Sequence, residues 1–123
     1  MRKTLAVVVL LLVPALAIAQ RTVTRVGIVA KPTVYTGPCP ATISFIATIH
    51  VSHSPAFAEY VWERSDGAKG PRRRVDIRGE GRGVTDTWRI SARRGRYVIW
   101  ERLHVLAPTG IYSPPARVTV NCR

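Results

Sequence analysis

Apolar and polar residues alternate along most of this chain, which is the signature of half-buried β-strands rather than helices. Ala41, Ile43, Phe45, Ala47, Ile49 and Val51 alternate with Thr42, Ser44, Thr48 and His50, and this is the clearest strand in the sequence. Residues 22–29 are β-branched and read as an edge strand ending before Lys31-Pro32. Tyr35-Thr36-Gly37-Pro38 reads as a turn. Ala58, Tyr60 and Trp62 alternate with Glu59, Val61 and Glu63, and the run stops at Ser65-Asp66-Gly67, a strong turn signal.

Residues 69–83 are polar and rich in Arg and Gly, with a weak strand over 75–77. Strands follow over 84–90, carrying Trp88, and over 97–106, separated by a basic turn around Gly95. Residues 108–115 hold three prolines and read as a loop. In the last strand Ala116, Val118, Val120 and Cys122 alternate with Arg117, Thr119 and Asn121. The pattern predicts an all-β chain of about seven strands, with turn signals roughly every 8 to 12 residues, as in an antiparallel β-sandwich. No amphipathic helix and no internal repeat is visible.

The N-terminus follows a different rule. Residues 1–19 read as a secretory signal peptide, expected to be helical. Arg2 and Lys3 supply the positive end, residues 5–13 the apolar stretch, and Ala17-Ile18-Ala19 the small residues read by a peptidase. Cleavage is expected before Gln20, leaving one domain over 20–123 in a secreted or periplasmic bacterial setting. Retention as an anchor is the rival. Pro14 interrupts the apolar run, which falls short of the roughly 18 to 20 residues that span a bilayer. No second apolar run follows, so no transmembrane segment is expected in the mature chain.

Export gives the two cysteines their meaning. Cys39 and Cys122 are the only ones, and oxidising compartments favour a disulfide between them. Cys39 shares parity with Ile43 and Phe45, and Cys122 with Val118 and Val120, so regular strands would aim both sulfurs into the core. Closing so long a loop would stabilise a small domain by about 4 to 5 kcal/mol in a chain-entropy estimate.

A spaced set of residues carries a resemblance. It runs Tyr35-x-Gly37-x-Cys39-Pro40, Tyr60-x-Trp62-x-Arg64-Ser65-Asp66-Gly67, Thr87-Trp88, Pro108, Ser113-x-x-Ala116 and Val120-x-Cys122. It resembles a group of small secreted bacterial Ig-like modules of unassigned function, over residues 22–122. The resemblance implies an Ig-like or fibronectin-III-like sandwich with a Cys39–Cys122 bridge. It carries over no catalytic or binding residues. The chain is more basic than that group over 69–83 and 93–96.

Charge sharpens the question of partners. The chain has 19 basic and 7 acidic residues, a net +12. Eleven of the cations fall between residues 64 and 96. Arg72, Arg73, Arg74, Arg78, Arg93, Arg94 and Arg96 are candidate anion-binding residues, since guanidinium groups grip phosphate, sulfate and carboxylate in pairs. The bland alternative is a solvated loop. Trp62 and Trp88 are expected in the core. Trp100 breaks the parity of Leu103 and Val105, so either a β-bulge lies between, or Trp100 faces out beside Arg102, where it could stack on a sugar or a base.

Chemistry finds little foothold. There is no Gly-x-Ser-x-Gly, His-Glu-x-x-His or phosphate-binding loop. The carboxylates are spread along the chain. Glu59 and Glu63 share a face about 13 Å apart and read as exposed. His50 and His53 face apart on a strand, so no metal and no cofactor is expected. The expectation is a non-catalytic binding or structural module. Its partner is an unknown protein or cell surface, an anionic surface polymer, or an extracytoplasmic enzyme that it inhibits.

Overall fold

The structure, a computed structural model, describes residues 22–123 together with residues 9 and 11. The expected signal segment and its cleavage point before Gln20 lie outside the described residues, apart from Val9 and Leu11. Nine strands follow: β1 (Val23–Lys31), β2 (Val34–Gly37), β3 (Ala41–Val51), β4 (Ala56–Arg64), β5 (Arg73–Ile77), β6 (Gly81–Ile90), β7 (Gly95–Ala107), β8 (Ile111–Tyr112) and β9 (Ala116–Cys122). They form two sheets, a smaller one ordered β1-β3-β6 and a larger one ordered β2-β9-β7-β4-β5, with β8 paired to β7. Among the described residues no helix is long and apolar enough to cross a membrane.

Period-two patterning becomes burial directly. From β3, Ile43, Phe45, Ala47 and Ile49 face the other sheet and are fully buried. They meet Ala58, Tyr60 and Trp62 of β4, Leu103 and Val105 of β7, and Val118 and Val120 of β9. Burying each of the larger side chains contributes about 1.5 to 3 kcal/mol. Trp62 is in the core as expected, with 4% exposure. Trp88 is only partly buried: it sits on β6, an edge strand of the smaller sheet, and packs against the core from there.

The strand count is nine rather than seven because two expected turns pair. Residues 34–37 read as a turn, yet β2 lies parallel to β9, with Val34 opposite Thr119 and Gly37 opposite Cys122. The sandwich is therefore not antiparallel throughout. Pro32 has no N–H to extend the β1 ladder, and the chain crosses there from one sheet to the other. The proline-rich stretch likewise contributes β8, which pairs His104 with Tyr112 and Val105 with Ile111.

Cys39 and Cys122 form the disulfide, with Cα atoms 5.4 Å apart. Its placement departs from the parity argument. Cys122 ends β9 and is buried, but Cys39 lies in the bend before β3 and is half-buried. The bridge ties the β2–β3 bend to the end of β9, at one end of the sandwich rather than at its centre.

A candidate binding site on the outer face of the larger sheet

The register of β4 against β7 places two charge pairs side by side. Glu63 stands opposite Arg102, and Arg64 opposite Glu101. Successive residues of a strand face opposite ways, so the first pair lies on the outer face of the larger sheet and the second inside the sandwich. Ile99, Glu101, Leu103 and Val105 make up the buried row of β7. Trp100 breaks the apolar parity because the inward position between Ile99 and Leu103 is a glutamate. There is no bulge between Trp100 and Leu103; the register shift lies instead at Glu59 and Tyr60, opposite Ala107 and Val105. Trp100 faces out, half-buried, beside Arg102.

Glu63 is not exposed as expected. Its side chain is 8% accessible and sits beneath three cationic or cationisable groups. Oε1 accepts from Arg102 Nε at 2.9 Å, and Arg102 Nη2 is 2.8 Å from the same oxygen. Oε2 lies 3.4 Å from His104 Nδ1 and 3.8 Å from Lys69 Nζ. Burial alone would raise this carboxyl, but the Arg102 hydrogen bond and charge, with Lys69 and His104, hold it below the usual carboxylate range.

Arg102 is flanked by rings. Its guanidinium carbon is 4.4 Å from the Tyr112 centroid and 5.6 Å from that of Trp100, both within cation–π reach. Tyr112 stacks in turn on His104 at 3.9 Å and 15°. Ser113 sets Tyr112 in place: its N–H donates to the Leu103 carbonyl, and its hydroxyl accepts from the Leu103 N–H, both at 2.9 Å. Trp100, Arg102 and Tyr112, with the β4–β5 turn, border an open cleft of about 300 Å³ whose lining also includes Glu63, Arg64, Ser65 and Lys69.

The turn is built to hold that wall. Ala68 N–H donates to Asp66 Oδ1 at 2.9 Å, and Gly67 has a φ of 87°, where a side chain is strained. Gly70 N–H donates to the Trp62 carbonyl at 2.8 Å, and an isolated bridge pairs Glu63 with Lys69. Ser65 locks the turn to β7: its Oγ accepts from the Trp100 N–H at 3.1 Å.

Inside the sandwich, Arg64 donates to Asp86 Oδ2 at 3.2 Å and to the Thr87 carbonyl at 3.1 Å, while stacking on Trp88 at 4.9 Å. Its Nε is 3.8 Å from Glu101 Oε2. In the sequence Glu101 is one of the scattered carboxylates, and its burial went unseen; the one signal was the broken parity at Trp100.

The arginines do not form one patch. Arg72 pairs with Glu59. Arg74 pairs with Asp76 at 3.5 Å and lies over Phe57 at 4.2 Å. Arg73 lines a second hollow of about 240 Å³ on the other side of the β4–β5 turn, with Trp62, Arg64, Lys69 and Asp86. Arg78 borders a shallow hollow with Ser54, Pro55 and Gly79. Arg93, Arg94 and Arg96 sit at the disulfide end, where Gly95 is opposite Cys122 and Arg96 opposite Asn121. Arg73 is level with Tyr60 and Val105, nine residues along β7 from Arg96, or about 30 Å at ~3.3 Å per residue.

His50 is 3.2 Å from Arg25 and His53 is 2.9 Å from Ser52. Among the described residues no three His, Cys, Asp or Glu side chains gather as metal ligands would. No protein family and no curated protein matches the chain.

Proposed function

We propose that the chain is an exported, Ig-like, non-catalytic binding module, and that it engages its partner through the outer face of the larger sheet. The observation that carries this is the Trp100–Arg102–Tyr112 stack beside an open cleft. Aromatic and arginine side chains held rigidly and half-exposed on a sheet are the residue types that dominate recognition surfaces. Tyr112 is 48% exposed although its ring stacks on His104. Export is supported by the apolar N-terminal stretch ending in small residues, and by a disulfide, which persists in oxidising compartments.

The test compares the wild-type chain with a Trp100→Ala, Tyr112→Ala double variant for retention of the host's envelope polymers and surface proteins. The variant is expected to lose what the wild type retains. Equal retention by both, with both folded, sinks the outer-face reading.

A second reading has its own observation. Arg93, Arg94 and Arg96 are exposed at the disulfide end and make no ion pair among the described residues. They support a polyanion contact at that end. Its test is elution from an anionic column: replacing all three with Ser should lower the salt needed, because binding through counterion release weakens steeply with salt.

A further inference from the structure

The cleft beside Trp100 has a chemistry that selects among ligands. It is small, at about 300 Å³, the lower end of the roughly 300 to 1,000 Å³ of small-ligand sites. That is room for one ring rather than a stretch of polymer. Two aromatic rings border it, presenting an apolar surface with a polar edge. Its polar groups are uneven in charge. Glu63 is spent on Arg102 through one oxygen. Lys69 is 70% exposed, reaches Glu63 only at 3.8 Å, and lines the cleft. Arg102 commits Nε and Nη2 to Glu63, and among the described residues Nη1 has no partner. The Ser65 hydroxyl, an acceptor from the Trp100 N–H, still has its own proton to donate.

One carboxylate, Glu63, therefore faces Lys69 and Arg102 in the cleft, and Arg64, on the same lining, is paired with Asp86 outside it, leaving a net positive charge beside an aromatic platform. We infer that this cleft binds a single acidic sugar ring, a uronate-type unit, with the ring lying on Trp100 and its carboxylate directed to Lys69 and the free edge of Arg102. A neutral sugar would leave the surplus positive charge unanswered. A bare inorganic anion would leave the aromatic surface unused. The inference rests on the outer-face reading above and narrows it to a ligand class.

The experiment is a calorimetric titration of the folded chain with a galacturonate trisaccharide and with its fully methyl-esterified form, which keeps the ring and removes the charge. Saturable binding of the acid form is expected, at least tenfold weaker for the ester. Trp100→Ala should abolish it, and Lys69→Gln should weaken it several-fold, with unfolding midpoints close to wild type. Should Trp100→Ala unfold, Trp100→Phe should retain partial binding. No saturable binding of the acid form overturns the inference, as does equal binding of the ester or undiminished binding by folded Trp100→Ala. If the acid form fails to bind while the Trp100→Ala, Tyr112→Ala variant still loses envelope retention, the sugar inference falls and the outer-face reading stands.

Discussion

Glu101 stands directly opposite Arg64 in the β4–β7 register, yet the two do not make an ordinary ion pair. Oε2 is 3.8 Å from Arg64 Nε, the side chain is wholly inaccessible, and neither carboxyl oxygen has a hydrogen-bond partner among the described residues. Asp86 takes the same guanidinium at 3.2 Å. Burial, and then the neighbouring Asp86 carboxyl, outweigh Arg64 and push the Glu101 carboxyl up to about 9. At neutral pH it is a protonated acid inside the sandwich.

This sets a pH dependence of known sign. As pH rises above about 4.5, the unfolded chain ionises Glu101 while the folded chain keeps the proton up to about 9. The unfolded state then binds fewer protons, so Glu101 erodes stability through that window. Glu101→Gln should remove the dependence and raise stability near pH 8 by up to a few kcal/mol. Unfolding midpoints from pH 4 to pH 9 check it. A variant less stable than wild type across that range would show that the carboxyl is held ionised by Arg64.

Glu63, the next residue along from Arg64 and on the other face, behaves oppositely. Its folded value is lowered, so its contribution is present above about 4.5 and lost as pH falls through the lower folded value. Arg102→Met strips the closest partner from a buried carboxylate, leaving Lys69 and His104. It should destabilise by about 1 to 3 kcal/mol at pH 7. The deficit should shrink in acid, where Glu63 is protonated. A deficit unchanged between pH 7 and pH 3 would assign the role of Arg102 to packing against the rings instead.

The bridge between Cys39 and Cys122 spans 83 positions. Replacing both with Ser should cost about 2 to 5 kcal/mol by denaturant unfolding. Proteolysis should then begin in the β2–β3 bend, which would keep only short-range contacts. Loss below 1 kcal/mol would mean that the parallel β2–β9 ladder holds that end unaided.

Leu103 is fully buried between the sheets, directly opposite Trp62. Leu103→Ala should cost about 2 to 5 kcal/mol, since both sheets are rigid neighbours that close poorly on a void. The comparison is Val98→Ala on the same strand, 59% exposed, which should change stability by less than about 0.5 kcal/mol. Similar losses at the two positions would contradict the inward parity of β7.

The alternating strands were legible from residues because burial on one face of a pleated strand requires a period of two. β9 begins and ends where the pattern places it, and β3 is a complete alternation. β2 and β8 were not legible. Each is short and carries turn residues, and each exists only because a neighbouring strand offers unpaired backbone groups. The site followed the same division. Trp100 was visible only as one of two alternatives, a bulge before Leu103 or an outward aromatic beside Arg102. Tyr112 and Lys69 were not, because they reach it from a loop and a turn whose paths are set by pairing with β7 and β4.

By itself the sequence determined the all-β class, the inward rows of β3, β4 and β9, and the two cysteines available for a bridge, since hydrophobic period and cysteine count are local facts. Only the tertiary structure decided which charges are buried. Glu63 and Glu101 look alike as strand carboxylates. The register of β4 on β7 gives the first its arginine on the outer face and sends the second, nearly unpartnered, into the core. It also dispersed the arginines that are neighbours in sequence, because strands running in opposite directions carry adjacent segments to opposite ends of the sandwich.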